Sequence, residues 1–248
     1  MAIANLPVGT VVLTGASRGI GHATVKRFSA EGWRVISCSR QAFSRKCPWE
    51  AGPEDHLQLD LADLDSLDDG IAELRERLNG EPINALVNNA AISPKDDGGK
   101  RLSTITTSAE TWDTVFRVNF FAPLLLARGL LPELQAGRGS VVNVTSIAGS
   151  RVHPFAGSAY ATSKAALSAL TREMASDFGP LGVRVNAIAP GEILTPILSE
   201  GSDALSEQIP MKRLGQPEEV ADTIFYLCSA QSSYVNGSEI HINGGQHV

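Results

Sequence analysis

The stretch TGASRGIG at residues 14–21 decides the fold. It follows the apolar run TVVLTG at 10–15, which predicts a buried strand, and it leads into a helical pattern at 19–31. Glycines at such a junction permit a tight turn and a close approach of a ligand to the backbone. The free N–H groups and the positive end of the helix then favour a phosphate. The spacing predicts a dinucleotide-binding turn, although a glycine turn alone is also typical of a purely structural junction.

The rest of the chain alternates apolar, β-rich runs with helical patterns. Predicted strands lie at 10–15, 34–40, 56–61, 84–90, 140–146, 183–190 and 239–245. Predicted helices lie at 19–31, 66–78, 109–135, 156–178 and 217–228. Several strands are continuously apolar, as parallel strands covered on both faces are. The pattern predicts an α/β fold: one doubly wound (Rossmann) domain over 1–248, with a parallel seven-stranded sheet and helices on both faces.

Composition excludes several classes of function. The net charge is -6, which gives no electrostatic basis for binding nucleic acid or anionic membranes. Three scattered cysteines, Cys38, Cys47 and Cys228, argue against a disulfide framework and against a zinc site. The first residues lack signal-peptide features, and no apolar run approaches the roughly 18 residues of a membrane span. We therefore expect a cytoplasmic protein that holds no metal.

A second group of polar residues falls in the middle of the chain. Tyr160 and Lys164 stand four residues apart in YATSK on the predicted helix 156–178, so they share one helical face. Ser146 ends a predicted strand. Taken alone, such a pair is usually a pair of surface neighbours, and such a serine is an ordinary hydroxyl at a strand end.

Together these features resemble the short-chain dehydrogenase/reductase family over nearly the whole chain. The motifs follow in family order: TGASRGIG (14–21), Asp60-Leu61, NNAA (88–91), Asn119, Ser146, YATSK (160–164), PGEILT (190–195) and RLGQPEEVA (213–221). Each motif is modest alone, but their joint order is specific. The similarity is greatest to bacterial 3-oxoacyl-thioester reductases and to small ketone or polyol dehydrogenases.

The resemblance implies hydride transfer between a nicotinamide and a ketone or secondary alcohol. It makes Tyr160 the general acid for reduction and the base for oxidation, with Lys164 lowering its pKa. It gives Ser146 a hydrogen bond to the substrate oxygen, and it gives Asn119 a water in a proton relay from Lys164 to solvent.

The resemblance also implies a set of cofactor contacts. Besides Tyr160 and Lys164, the set contains Gly15, Ser17, Arg18, Gly19, Ile20, Gly21, Ser39, Arg40, Asp60, Leu61, Asn88, Ala90, Pro190, Gly191, Ile193 and Thr195. Asp60 is expected at the adenine amino group, and Asn88 is expected to be partly structural. Ile193 and Thr195 are expected at the nicotinamide carboxamide.

The end of the second predicted strand sets the choice between cofactors. NAD enzymes place an acid there for the ribose hydroxyl, whereas NADP enzymes use arginine on the 2′-phosphate. Here the strand ends in Cys38-Ser39-Arg40 without an acid, and Arg18 adds a cation from the glycine loop. The sequence therefore predicts NADP(H) in preference to NAD(H).

Four alternatives or extensions accompany this prediction. An NAD-dependent alcohol or polyol dehydrogenase would share the same motifs. A catalytically silent NADP-binding sensor would use the fold for partner binding, although both Tyr160 and Lys164 are present. Residues 15–19 also match G-x-S-x-G, the nucleophile elbow of serine hydrolases, but an elbow normally follows several strands and not the first. Finally, the family resemblance and the leucines at 124–126 and 130–131 predict a homotetramer.

The sequence departs from the family pattern in four places. Ala91 stands where the family usually has glycine, and residues 147–158 contain a small insertion. Residues 41–55 lack the usual helix, and the loop 92–108 is longer than in minimal members. We expect 192–212 to form a loop or short helices. These segments are where substrate specificity is expected to lie.

Overall fold

A computed structural model of the protein describes residues 8–43, 52–195 and 202–248. Its centre is a seven-stranded sheet in which every neighbouring pair is parallel, in the order β3-β2-β1-β4-β5-β6-β7. The strands are β1 (Thr10–Thr14), β2 (Arg34–Ser39), β3 (His56–Gln58), β4 (Ala85–Asn88), β5 (Ser140–Val144), β6 (Arg184–Pro190) and β7 (Glu239–Ile242). The predicted doubly wound α/β fold is confirmed.

Helices lie on the connections between the strands, except that the described part of the β2–β3 connection holds only a short 3-10 helix, Pro53–Asp55. The α-helices are α1 (Gly19–Ala30), α2 (Leu67–Leu78), α3 (Ala109–Phe116), α4 (Ala122–Gly129), α5 (Leu131–Ala136), α6 (Ser158–Phe178) and α7 (Pro217–Cys228). Local sequence explains several of their starts. Ser108 accepts a hydrogen bond from Thr111 N at the start of α3, and Gln216 with Glu219 forms a capping box ahead of α7.

The single helix predicted at 109–135 is instead four pieces. A π-helical turn, Arg117–Phe121, separates α3 from α4, and α4 ends before α5 begins. Pro123 and Pro132 each stand in the first turn of a new helix, where a missing N–H is tolerated. The length of the helical pattern was predicted correctly, but its continuity was not.

The sheet has an apolar core on each face. Alternate residues of one strand serve opposite cores: Val12 packs with residues of α2, α4 and α6, whereas Val11 and Leu13 pack with α1 and α7. Such alternation follows from the two-residue period of a strand. Helices therefore cover both faces, which is why the strands read as continuous apolar runs.

The direction of the connections reverses between β1 and β4. The chain moves outward from β1 to β2 and β3, then returns to β4 on the other side of β1. In open parallel sheets this reversal opens a crevice beyond the carboxyl ends of the strands. The glycine turn after β1 and the segment after β4 both lie at this crevice.

Some predicted segments have definite structure and others cannot be assessed. Residues 95 and 101 in the long loop form an antiparallel bridge, and a 3-10 helix covers Ser202–Gln208. Cys47 and most of the irregular segment 41–55 lie outside the described residues, as do residues 196–201. Within the described ranges, no helix combines the length and the apolar character needed to cross a bilayer. Those same ranges contain no cluster of three or more metal-binding side chains.

Candidate active site

One cavity of about 1370 Å³ occupies the crevice. Every predicted site residue lines it except three: Gly21, Asn88 and Asn119. It runs from the ends of β2 and β3, past the glycine turn and β5, to the turn after β6. The motifs scattered over 180 residues of sequence thus converge on one continuous surface.

Gly15 and Gly21 make the phosphate end of the cavity possible. Gly15 has a φ of +71°, and a Cβ there would lie 2.8 Å from Ala90 Cα. A Cβ on Gly21 would lie 2.1 Å from the carbonyl oxygen of Gly15. Gly21 therefore does not touch the cavity; it lets the first turn of α1 pack directly against the end of β1.

The start of α1 fits a phosphate group. Arg18 is its N-cap residue, no side chain caps the helix, and its first turn holds no acidic residue. α3 and α7, by contrast, have capping side chains. The N–H groups of the first turn of α1 are therefore left for a ligand at the cavity wall, where Ser17 and Gly19 also lie. The residues present fit the pyrophosphate of a dinucleotide.

Thr14 and Asn89 hold the glycine turn against the segment after β4. Thr14 Oγ1 accepts hydrogen bonds from Asn89 N and Ala90 N, both at 3.1 Å. Asn89 Nδ2 donates to the carbonyl oxygens of Thr14 and Gly15 at 3.1 and 3.0 Å. Asn89 belongs to the motif NNAA, but the sequence predicted no role for it.

Asn88 lies behind the cavity wall. Its Nδ2 donates to Asn143 Oδ1 at 2.9 Å, and Asn143 Nδ2 donates to Thr171 Oγ1 at 2.9 Å. This buried chain ties β4 to β5 and α6. The structural part of the role expected for Asn88 is thus visible, whereas Ala90 and Ala91 supply the cavity surface beside it.

The adenosine end is formed by the ends of β2 and β3. Ser39 and Arg40 line it, and Ser39 Oγ donates to the carbonyl oxygen of Gln41 at 3.0 Å. The carbonyl oxygen of Arg40 accepts from Gln58 Nε2 at 3.1 Å, so the backbone here is fixed to β3. Asp60 lies next to this end, with Oδ1 accepting from Ala62 N at 3.0 Å.

Tyr160 and Ser146 lie side by side on one wall at the other end of the cavity. Ser146 leaves β5 in extended conformation, and its Oγ accepts a bond from Ala148 N at the start of a short 3-10 helix. Tyr160 belongs to the first turn of α6. Burial raises the pKa of Tyr160, an interaction with the Ser146 hydroxyl opposes the rise, and the negative charge of Glu192 adds to it. The pKa of Tyr160 is therefore raised, whereas the sequence predicted that Lys164 would lower it, and at neutral pH this phenol is held in its protonated form.

Lys164 is almost completely buried one helical turn below Tyr160. Only 2% of it is exposed, and its Nζ donates to the carbonyl oxygen of Val144 at 2.6 Å. Nζ lies 5.7 Å from the centre of the Tyr160 ring. Burial lowers the pKa of Lys164 to about 7. An ammonium so close to the phenol favours the phenolate whenever the lysine is charged.

Asn119 lies in the π-helical turn and is fully buried. Its Nδ2 donates to Ile92 O and to Ser163 Oγ, both at 3.0 Å, while its Oδ1 accepts from Ile92 N at 2.9 Å. The side chain thus fixes the backbone just after β4 against α6. The water relay expected of Asn119 stays a prediction.

The turn after β6 completes the far wall. Gly215 N donates to Glu192 O, and Leu194 N donates to Gly215 O, both at 2.9 Å. These bonds are made by backbone groups of the residues on either side of Ile193. The backbone groups of Ile193 itself therefore point away from Gly215. Ile193 and Thr195 line the cavity, and Thr195 lies beside Gly19. This position fits the predicted contact with a nicotinamide carboxamide.

Sequence reasoning missed a group of charged residues around Tyr160. His153 Nε2 and Glu192 Oε1 lie 2.5 Å apart, and both side chains are about nine-tenths buried in the cavity wall. Lys95, Lys100 and Arg101 line the same part of the cavity. Glu192 belongs to the motif PGEILT, and His153 belongs to the segment 147–158 that contains the small insertion. The spacing of the sequence does not predict that they are in contact.

The burial of Lys164 generates a test of stability against pH. Because the pKa of Lys164 is lower in the folded than in the unfolded chain, the unfolded chain binds more protons between about pH 7 and 10.5. The penalty that burying Lys164 adds to the free energy of folding is therefore largest at and below neutral pH. That penalty is on the order of 4 kcal/mol. We expect Lys164→Met to stabilise the ligand-free protein at pH 7 by roughly 1–3 kcal/mol net, since the bond to Val144 is lost. The gain should fade as pH rises towards 10.5.

Chemical denaturation at pH 7 and at pH 10 measures this difference. Lys26→Met is the matched control, since Lys26 is exposed on α1. A Lys164→Met protein that is destabilised equally at both pH values would contradict the assignment of a strained buried ammonium.

Comparison with known proteins gives the family. The model of a family described as enoyl-(acyl carrier protein) reductase matches residues 15–247. The protein FixR of Bradyrhizobium diazoefficiens is 61% identical over 240 residues, which cover 96% of this chain and 86% of that protein. A 3-oxoacyl-[acyl-carrier-protein] reductase FabG of Aquifex aeolicus is 34% identical over 94% of this chain and 95% of its own length.

Solved structures agree. An oxidoreductase of the short chain dehydrogenase/reductase family from Brucella ovis, in complex with a partially ordered NAD, is 63% identical with a TM-score of 0.83, over 95% of this chain and 99% of its own. A 3-oxoacyl-[acyl-carrier protein] reductase from Brucella melitensis with bound NAD is 32% identical with a TM-score of 0.87, over 98% and 92%. With its glycine turn and its Ser146, Tyr160 and Lys164 side chains on one cavity, this chain belongs to the short-chain dehydrogenase/reductase family of oxidoreductases.

Proposed function

We propose that the protein is an NADP(H)-preferring carbonyl reductase that converts a ketone to a secondary alcohol, reversibly in principle. The observation that carries the proposal is the placement of Tyr160 and Ser146 on one cavity wall, over the buried Lys164. Membership of the family removes the support for a serine hydrolase. The intact Tyr160 and Lys164 argue against a silent sensor.

The chemistry follows from where negative charge develops. A bound nicotinamide supplies the hydride, and the carbonyl oxygen then gains negative charge. Tyr160 donates its phenolic proton to that oxygen, and the Ser146 hydroxyl donates a hydrogen bond to it. The raised pKa of Tyr160 keeps this proton in place at neutral pH, so the phenol is available as the proton donor that reduction requires. In the reverse direction, the Tyr160 phenolate would accept the proton from the alcohol.

Lys164 stabilises the negative charge that Tyr160 carries after it has given up its proton. Its ammonium, 5.7 Å from the Tyr160 ring centre, stabilises the phenolate that forms once the proton has left. Its location beneath the cavity suits hydrogen bonds to the ribose hydroxyls of the nicotinamide half. Asn119 keeps Ile92 and the adjoining wall in register with α6, and a water beside it would pass protons from Lys164 to solvent.

The preference for NADP(H) rests on the charges at the adenosine end. Ser39 and Arg40 end β2 without an acidic neighbour among the described residues of that strand, and Arg18 lies at the adjacent glycine turn. A 2′-phosphate would bring nearly two negative charges between these two arginines. The relatives from Brucella bind NAD, and an NAD-dependent alcohol or polyol dehydrogenase is the alternative that the cofactor experiment decides.

Removing the Tyr160 hydroxyl tests the proton transfer. We expect Tyr160→Phe still to bind NADPH while turnover of a ketone falls at least about 100-fold, the usual share of general acid–base catalysis. Nicotinamide fluorescence measures binding and nicotinamide absorbance measures turnover. Tyr226→Phe is the control, because Tyr226 is exposed on α7. A Tyr160→Phe enzyme with more than half of the wild-type turnover would show that another group donates the proton.

Exchanging the arginines tests the cofactor preference. Hydrogen bonds to charged groups contribute roughly 1.5–3 kcal/mol each, reduced at an exposed site, so we expect kcat/KM to favour NADPH by roughly 30- to 1,000-fold. Added salt should shrink the ratio. Arg40→Asp should erase or invert it, and Arg18→Ala should weaken it, whereas Arg138→Asp, on an exposed turn, should leave it unchanged. An equal or NADH-favouring ratio in the wild-type protein would mean that the enzyme is NAD-dependent.

We also propose that the protein is a cytoplasmic homotetramer. The predicted leucine surface is largely internal, since Leu126 and Leu130 are buried. An aromatic row, defined by Trp112, Phe116, Phe120 and Phe121, takes its place on α3 and the π-helical turn, with successive ring centres 5.2–6.1 Å apart. Phe121 is 41% exposed, which supports an interface on this row. Cys38 and Cys228 are buried free thiols, which fits a reducing compartment.

Light scattering tests the assembly. We expect a mass four times that of the 26.3 kDa chain at micromolar concentration. Phe121→Asp should lower that mass, because a carboxylate would be buried without a partner in the interface. Leu181→Asp, at a similarly exposed apolar position outside the aromatic row, should not. A wild-type mass equal to one chain would refute the proposal.

A further inference from the structure

The long loop after β4 contains a defined hairpin at residues 95–101. Lys95 and Arg101 form an antiparallel bridge, Asp96 N donates to Lys100 O at 3.0 Å, and Gly99 N donates to Asp96 O at 2.9 Å. Asp96 Oδ1 accepts bonds from the backbone N–H groups of Gly98 and Lys100. The aspartate is therefore committed to the turn of the hairpin.

Two contacts join the hairpin to the loop that precedes Tyr160. Lys95 Nζ donates to the carbonyl oxygen of Phe155, and Ser158 N donates to Leu102 O at 2.9 Å. Ser158 begins α6, so the residue that bonds to the base of the hairpin stands two positions before Tyr160. The side chains of Lys95 and Arg101 consequently lie at the substrate end of the cavity, away from the adenosine end.

The hairpin brings uncompensated positive charge to this end. Lys95 and Arg101 lie directly opposite each other, an arrangement that is destabilising for like charges in a sheet. Neither side chain forms an ion pair within the described part of the chain. Burial lowers the pKa of Lys95, and the charge of Arg101 lowers it further.

One atom of this pair is buried and unpartnered. Arg101 Nε is inaccessible to solvent, and no hydrogen-bond acceptor among the described residues reaches it. A buried donor without an acceptor costs free energy, more so when it is charged. Such an orphan in a cavity wall indicates that a ligand supplies the acceptor.

The nearby carboxylates do not cancel this charge. Glu192 is the one carboxylate that lines the substrate end among the described residues, and it is paired with His153. Glu192 also acts on Lys95, but it cannot neutralise Lys95, Lys100 and Arg101 together. Among the side chains that line this end of the cavity, positive charge is therefore in excess; Asp96 and Asp97 of the hairpin are exposed and do not line it.

We propose that Lys95 and Arg101 form an anion-binding subsite that selects carbonyl substrates bearing a carboxylate, that is, oxo acids and their hydroxy-acid products. The planar guanidinium matches the two oxygens of a carboxylate, and the Lys95 ammonium adds a point charge. The inference rests on the proposed reductase function and names its substrate class. The carboxylate would orient the substrate so that its carbonyl meets Tyr160 and Ser146.

Matched acid and amide substrates test the subsite. The probes are pyruvate, acetoacetate and 4-oxopentanoate, each compared with its primary amide, which has nearly the same size and no charge. We expect kcat/KM for at least one acid to exceed that of its amide by about tenfold or more, and the best chain length reports the distance from Arg101 to Tyr160. Turnover of the amides at the same or a higher kcat/KM than all three acids would overturn the proposal.

Variants of Arg101 assign the effect to the hairpin. Arg101→Gln should lower the acid-to-amide ratio about tenfold. Arg101→Lys, which keeps the charge but loses Nε, should lower it less. Arg128→Gln, a matched change on the exposed face of α4, should leave the ratio unchanged. A ratio that is the same in Arg101→Gln and in the wild-type protein would remove Arg101 from substrate recognition.

A binding measurement separates failure of the subsite from failure of the reductase function. Protein saturated with NADPH or NADH is titrated with malonate or with malonamide, and the melting temperature is recorded. We expect malonate, but not malonamide, to raise the melting temperature. In Arg101→Gln we expect malonate to have no such effect. No turnover of any acid or amide would contradict the reductase proposal, while the malonate result would still decide the subsite. Equal effects of malonate and malonamide would reject the subsite even in an active enzyme.

Discussion

The contact between Gly15 and Gly21 is the constraint on which the rest of the site depends. Only two residues without Cβ atoms allow the first turn of α1 to meet the end of β1 so closely, since a methyl group at Gly21 would come within 2.1 Å of a carbonyl oxygen. This contact aims the uncapped N–H groups of α1 at the cavity. Asn89 and Thr14 then fasten the same turn to β4, so the two central strands of the sheet and the phosphate end form one rigid unit.

Electrostatics at the other end of the cavity work against stability. A buried lysine and a partly buried tyrosine each carry a displaced pKa, in opposite senses, and both displacements come first from burial. A chain selected for stability alone would place an apolar side chain at 164. The strain is tolerable because the surrounding elements are fixed independently: Val144 by the sheet, and Ile92 by Asn119. The π turn that presents Asn119 is likewise a local irregularity next to the cavity, which Val118 of the same turn lines.

For the nucleotide half of the cavity the sequence predicted which residues lie together, whereas for the substrate half it did not, for a physical reason. Phosphate and ribose contacts depend on backbone geometry at strand ends, and backbone geometry imposes spacing, as in residues 14–21 and in the four-residue separation of Tyr160 and Lys164. The strand count and the helix positions were predicted for the same reason. The break at 117–121 was not, because one extra residue in a helical turn leaves the apolar period almost unchanged.

The substrate half is held by contacts that have no sequence period at all. Lys95 reaches Phe155 across 60 residues, and His153 reaches Glu192 across 39. Both contacts join loops that leave different strands, and each places a charge where the substrate must enter. Because such pairs form between loops of variable length, a related chain can change them without disturbing the glycine turn or the Tyr160 helix. In this proposal the reacting groups and the groups that choose the substrate are separate in the fold: Tyr160 and Lys164 are carried by α6, and Lys95 and Arg101 by the loop after β4.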